Sequence, residues 1–165
     1  MRGTINQRLS VTLMPWRRAL LFGTLAVGIL DILDAIVFFA LRGAQPIRIL
    51  QSIAAGLLGR AAFAGGWRTA ALGLALHFFI AFVVVLVFML AGRRVQALTR
   101  HPIAFGLVYG LAVYLVMNLV VVPASAAGGA RAWPAWPVVL NGVLIHMFGV
   151  GLPAALAARA ADPSA

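Results

Sequence analysis

Six polar side chains, Asp31, Asp34, His77, Asn118, Asn141 and His146, stand inside stretches otherwise built of Leu, Val, Ala, Ile, Phe and Gly. The acids are the only carboxylate side chains before Asp162, and they lie in Gly28-Ile29-Leu30-Asp31-Ile32-Leu33-Asp34-Ala35. On a helix that spacing puts both on one face. Each histidine follows a glycine by four residues, as Gly73-Leu74-Ala75-Leu76-His77 and Gly142-Val143-Leu144-Ile145-His146. Such groups are costly in hydrocarbon unless they meet one another, water or a ligand. Three chemistries suit them. As polar glue they would fix helix register. As a proton or ion pathway, Asp31, Asp34, His77 and His146 would be the carriers. As a haem b site, His77 and His146 would be axial ligands, with Gly73, Gly142 and Gly149 leaving room for the ring. No cofactor is required by the first two.

The elements that must position these groups follow from composition. Of 165 residues, 64% are hydrophobic and 10% charged, far from the roughly 25% charged of ordinary soluble domains. So few charges cannot clothe a soluble fold, and the chain is expected to be an all-α polytopic membrane protein. The net charge is +10, and all 13 basic side chains are arginine. Nucleic-acid binding is one meaning of such a charge. The arginines instead fall between apolar runs, where they flank membrane spans. The lipid bilayer is therefore the expected partner, and nucleic acid is not. Cysteine is absent, which removes disulfides, thiolate metal sites and a cysteine nucleophile. With no H-E-x-x-H, Walker loop or Ser/His/Asp motif, a non-enzymatic protein ranks above a metal hydrolase or an intramembrane protease.

Taken in order, residues 1–18 form a basic arm with Arg2, Arg8, Arg17 and Arg18, expected on the cytoplasmic side. The arm and the run after it resemble a secretory n-region and h-region. The apolar run continues to Leu41 without a clear cleavage site, so it is expected to be an uncleaved span. Four spans are expected at 19–41, 69–91, 103–122 and 138–158, making a four-helix bundle with a tail from 159 to 165. Residues 46–64, from Pro46 to the Gly65-Gly66 pair, carry an apolar stripe of Leu50, Ile53, Ala54, Leu57, Leu58 and Ala61. That run is expected to be too short to cross. It lies in the interface, or re-enters as a lid over the bundle mouth with Arg60 turned inward.

Gly106 and Gly110 form a G-x-x-x-G, for close packing within the bundle or for homo-oligomer or membrane-complex contact. Tyr109 and Tyr114 are candidate hydroxyl donors to the polar layer, with core packing the favoured role for Tyr109, and His101 is expected to be a solvated loop residue. Trp133 and Trp136 are interface anchors near Arg131 on the outer side. Both termini are expected in the cytoplasm, although Arg42, Arg48, Arg60 and Arg68 then fall outside and must snorkel to the headgroups. Spans two and four share Gly-x-x-x-His-x-Phe, as Gly73/His77/Phe79 and Gly142/His146/Phe148, which suggests two related hairpins. Counting about 1.5 Å per residue, both acids and both histidines fall roughly 10–15 Å below the outer surface. Groups at one depth on inward faces can touch.

Gly73-x-x-x-His77-Phe78, Gly106-x-x-x-Gly110 and Gly142-x-x-x-His146 combine with the stretch Ile49-Leu50-Gln51-Ser52-Ile53-Ala54 to Gly65-Gly66 and with Tyr114-Leu115-Val116-Met117-Asn118. The pattern resembles an uncharacterised class of small bacterial inner-membrane proteins, similar in layout to the YagU-like family, over most of residues 20–158. The first loop here is much shorter than in that layout. The resemblance implies an inner-membrane location and no settled biochemical activity.

Overall fold

The computed structural model describes residues 14–128 and 134–162. The expectations placed on Arg2, Arg8, Arg131, Trp133 and residues 163–165 lie outside them. Among the described residues the chain is all-helical, with no strand. Five helical runs are long and apolar enough to cross a membrane: Trp16–Ala40, Pro46–Ala64, Gly66–Arg94, Pro102–Ala124 and Trp136–Ala160. The chain is a multi-pass membrane protein by that measure. The run starting at Pro46 has the expected bounds but corrects the expectation that it is too short to cross: its 19 residues, Pro46–Ala64, fall within the length that can span.

The first run is α1 (Trp16–Ala40), opened by Pro15. Its outward stripe of Phe22, Leu25, Ile29, Leu33 and Val37 is exposed, which suits lipid. The opposite face buries Gly23, Val27 and Gly28 and carries Asp31 and Asp34. Helix α2 (Pro46–Leu58) has proline in its first turn and ends at Gly59, whose positive φ of 58° suits a residue without Cβ. A 3₁₀ turn, Gly59–Ala64, leads into α3 (Gly66–Arg94). Helix α4 (Ala97–Arg100) is one turn. Helix α5 (Pro102–Val116) widens into a π-helical segment, Met117–Val121, before α6 (Val122–Ala124). The last rod is α7 (Trp136–Ile145), a second π segment His146–Gly151, and α8 (Leu152–Ala160).

Both π segments precede a proline within the same rod, Pro123 and Pro153. Proline lacks an N–H, and its ring clashes with the carbonyl four residues back. A widened turn accommodates that clash without ending the helix.

Alternate rods run antiparallel. The start of α1 meets the end of α3 and the end of α8 in one core, where Ala19, Val85, Phe88, Met89, Ala154, Ala155 and Ala158 are all 5% exposed or less. Small residues let backbones touch there. A Cβ on Gly110 would strike the His146 carbonyl, and one on Gly106 would press on the Gly151 carbonyl and Ala155. The G-x-x-x-G is thus used inside the chain, against the last rod. Arg17, Arg18, Arg93, Arg94, Arg100 and Arg159 all belong to this tightly packed end.

At the other end the rods splay, and α2 fills part of the gap. Its named contacts with α3 fall between Gly66 and Gly73. The Leu50 carbonyl abuts Gly73. Gln51 Nε2 donates to the Gly66 carbonyl at 3.0 Å, and the Thr69 hydroxyl donates to the Ala62 carbonyl at 2.6 Å. The Ala126 amide donates to the Gly56 carbonyl at 2.9 Å, which ties α2 to the chain just past the third rod's end.

Candidate functional site

A cavity of about 370 Å³ opens in the splayed half. Asp31, Asp34, His77, Asn118, Asn141 and His146 all line it. Four rods deliver them: α1 the acids, α3 His77, the first π segment Asn118, and the last rod Asn141 and His146. The six polar groups read from the sequence therefore line one cavity. Arg60 does not join them. It is exposed and outside the cavity lining, and α2 instead contributes Ile49, Ser52 and Ile53.

The first pairing crosses from α1 to α3. His77 Nε2 lies 2.8 Å from the Gly28 carbonyl oxygen. A carbonyl only accepts, so Nε2 carries the proton and donates it. The other ring nitrogen, Nδ1, then faces Asp31 Oδ2 at 3.9 Å. That exceeds hydrogen-bond reach, so one water or a small rotation must close the gap. Asp31 makes no hydrogen bond within the protein among the described residues; its one named polar contact is this imidazole. The side chains are 11% and 24% exposed, His77 and Asp31 respectively, so the pair is sheltered yet reachable. Gly28 permits the approach: a Cβ there would run into the Phe78 ring, which packs edge-on to His77 at 5.6 Å between centroids.

The second pairing crosses from α1 to α7. Asn141 Nδ2 donates to Asp34 Oδ2 at 2.7 Å. Asp34 is thus held by a neutral donor, and among the described residues no arginine pairs with either acid. Arg42 stacks over the Phe38 ring at 3.5 Å and donates to the Phe38 carbonyl, but it is exposed and does not line the cavity.

His146 opens the second π segment. Its Nδ1 donates to the Gly142 carbonyl at 2.9 Å, one turn back on its own rod. Its ring meets Tyr114 edge-on at 5.4 Å, and Tyr114 in turn lies where a Cβ on Gly142 would be. Asn118 sits in the first π segment, is exposed, and donates to the Tyr114 carbonyl at 2.9 Å. The two Gly-x-x-x-His stretches therefore do different work. Gly73 admits α2, whereas Gly142 admits an aromatic ring, and only His77 bonds across to another rod. Tyr109 serves packing: its hydroxyl donates to the Val84 carbonyl at 2.7 Å and its ring meets Phe88.

Sequence reasoning missed two features of the site. One is the Gly28 carbonyl as the partner of His77, which no side-chain pattern announces. The other is the pair of π segments that carry Asn118 and His146. Pro123 and Pro153 were their signal.

Among the described residues no group of three His, Cys, Asp or Glu gathers closely enough to hold a metal ion. Comparison with family models, with curated proteins and with solved structures returned no match.

Proposed function

We propose that the chain is a bacterial inner-membrane protein whose Asp/His layer is a proton-exchanging site within a carrier. The observation that carries this reading is the 3.9 Å Asp31–His77 pair in a cavity that Asp34, Asn141 and His146 also line. A proton held on Asp31 can pass to His77 Nδ1 through one bridging water, because Nε2 keeps its own proton on Gly28. Purely structural glue would be served by a closed contact, as Asn141 and Asp34 make. Below the layer, Val85, Phe88, Ala154 and Ala155 close the bundle. Passage therefore requires the rods to part on that side, which is the behaviour of a carrier and not of an open pore.

In this arrangement four rods cross and α2 with its 3₁₀ turn caps the outer mouth. Support comes from the contacts of Leu50, Gln51, Ala54 and Ala62 with α3, all between Gly66 and Gly73. A crossing helix would run the length of its neighbour. Both termini then face the cytoplasm, with the arginine-rich end. The inner-membrane assignment rests on that pattern and on the YagU-like layout.

The test is proton flux into reconstituted vesicles under a pH gradient. Wild-type protein is expected to conduct, and Asp31→Asn/Asp34→Asn to lose most of the flux. Unchanged flux in the double variant would rule those carboxylates out as carriers. The bis-histidine haem alternative demands more of the geometry, since His77 Nε2 would have to leave the Gly28 carbonyl. Its signature is a Soret band that disappears in both His77→Ala and His146→Ala.

A further inference from the structure

Building on that proton-exchanging site, we infer that the cavity binds an organic cation with an apolar body, in competition with protons. A cavity of about 370 Å³ falls in the range of small-molecule pockets, roughly 300–1,000 Å³. Two bare protons or a hydrated metal ion would not need such a volume, nor its wall. Most of the lining is apolar or aromatic, with Phe38, Phe39, Ile80 and Tyr114 around the polar groups. Ring faces favour a cation further once water is excluded.

The charge of the lining is one-sided. Among the described residues its polar side chains are Asp31 and Asp34 from α1, the neutral Ser52 from α2, His77 from α3, Tyr114 from α5, the neutral Asn118 from the first π segment, and the neutral Asn141 with His146 from the last rod; no arginine is among them, and Arg42 lies over the Phe38 ring outside the lining. Among these groups an anionic ligand would meet two carboxylates and no fixed positive charge. Asp31 faces the cavity without a hydrogen bond from the protein among the described residues, so its oxygens are open to an incoming donor or cation. Asp34 keeps an oxygen that Asn141 does not occupy. A cation and a proton on the same carboxylate exclude each other, so binding weakens as the medium is acidified.

The experiment is calorimetric titration of the purified full chain with benzyltrimethylammonium, whose single ring and fixed charge suit the cavity. Neopentylbenzene, its neutral isostere, is the comparison ligand. The cation is expected to bind at least about tenfold more tightly than the isostere, and less tightly as the medium is acidified. Asp31→Asn is expected to weaken it about tenfold or more while the isostere's affinity holds, which also shows that the variant is folded. Equal binding of the two ligands, full affinity in Asp31→Asn, or no binding of the cation would overturn the inference. Absent binding alongside intact Asp-dependent proton flux removes the ligand class alone; loss of both removes the proton-exchanging site as well.

Discussion

Asp34 and Asn141 show what a single polar contact does in this bundle. Removing either partner leaves the other facing a largely apolar wall, and the cost exceeds the net value of the bond. A double-mutant cycle with Asp34→Ala and Asn141→Ala separates the two. A coupling of about 1 kcal/mol is expected from unfolding measured in detergent or bicelles, in the range of interhelical bonds in membranes. Additive losses would mean that the 2.7 Å contact does not form. His77 and Asp31 are expected to behave differently. Their 3.9 Å separation makes them a loose pair, so Asp31→Asn should change stability little and proton exchange greatly. At this scale much of the site was legible, because an ionisable residue in hydrocarbon is expensive enough to be informative alone. Arg60 was the exception. Its periodicity placed it opposite an apolar stripe, but only the docking of α2 on Gly73 decides which face of α2 sees the cavity.

The π segments are the elements that aim the site. Pro153→Ala restores an N–H and removes the ring clash, so His146–Gly151 is expected to relax to an α-helix. The register of His146 then changes relative to Asn141. Stability should hold or rise slightly, as it does when a functional irregularity is removed, while proton flux falls. A melting curve with a flux assay on the same vesicles checks both. Equal or higher stability with unaltered flux would show that the π turn only relieves the proline. The crossing of α5 on the last rod sets the opposite case. Gly110→Val pushes a side chain into the His146 carbonyl, backbone that cannot rotate away. A loss of about 1–3 kcal/mol is expected in the same unfolding assay, the range for overpacked cores. The four longest helical runs overlap the stretches expected at 19–41, 69–91, 103–122 and 138–158, because about 20 consecutive apolar residues favour one long helix. The π turns were not anticipated, because the apolar pattern does not distinguish a widened turn from an ordinary one ahead of Pro123 and Pro153.

As a whole the molecule is tightly packed at its arginine-rich end and holds its cavity towards the other, where α2 supplies part of the lining. The absence of cysteine makes that asymmetry measurable, because single cysteines can be introduced without background. Ser52→Cys should react with a membrane-impermeant maleimide from the outer side of intact cells, and Gln96→Cys only after the membrane is opened. The opposite pattern would invert the topology. The run Pro46–Ala64 was the hardest part to read, since 19 residues can lie in an interface, re-enter or cross, and composition does not choose among them. Neighbours choose.

The central claim is that acid and imidazole from different rods face each other inside the bilayer. Solid-state NMR of the protein in lipid, with ¹⁵N-labelled histidine and ¹³C-labelled aspartate, reads this directly. The chain has only 3 histidines and 3 acidic residues, so single-residue variants assign the signals. Dipolar recoupling between the His77 imidazole nitrogen and the Asp31 carboxyl carbon is expected, and it should vanish in Asp31→Asn, whose side chain escapes the label. A His77 ring with no recoupling to any carboxyl carbon, in the same samples that show folded helices, would contradict the account.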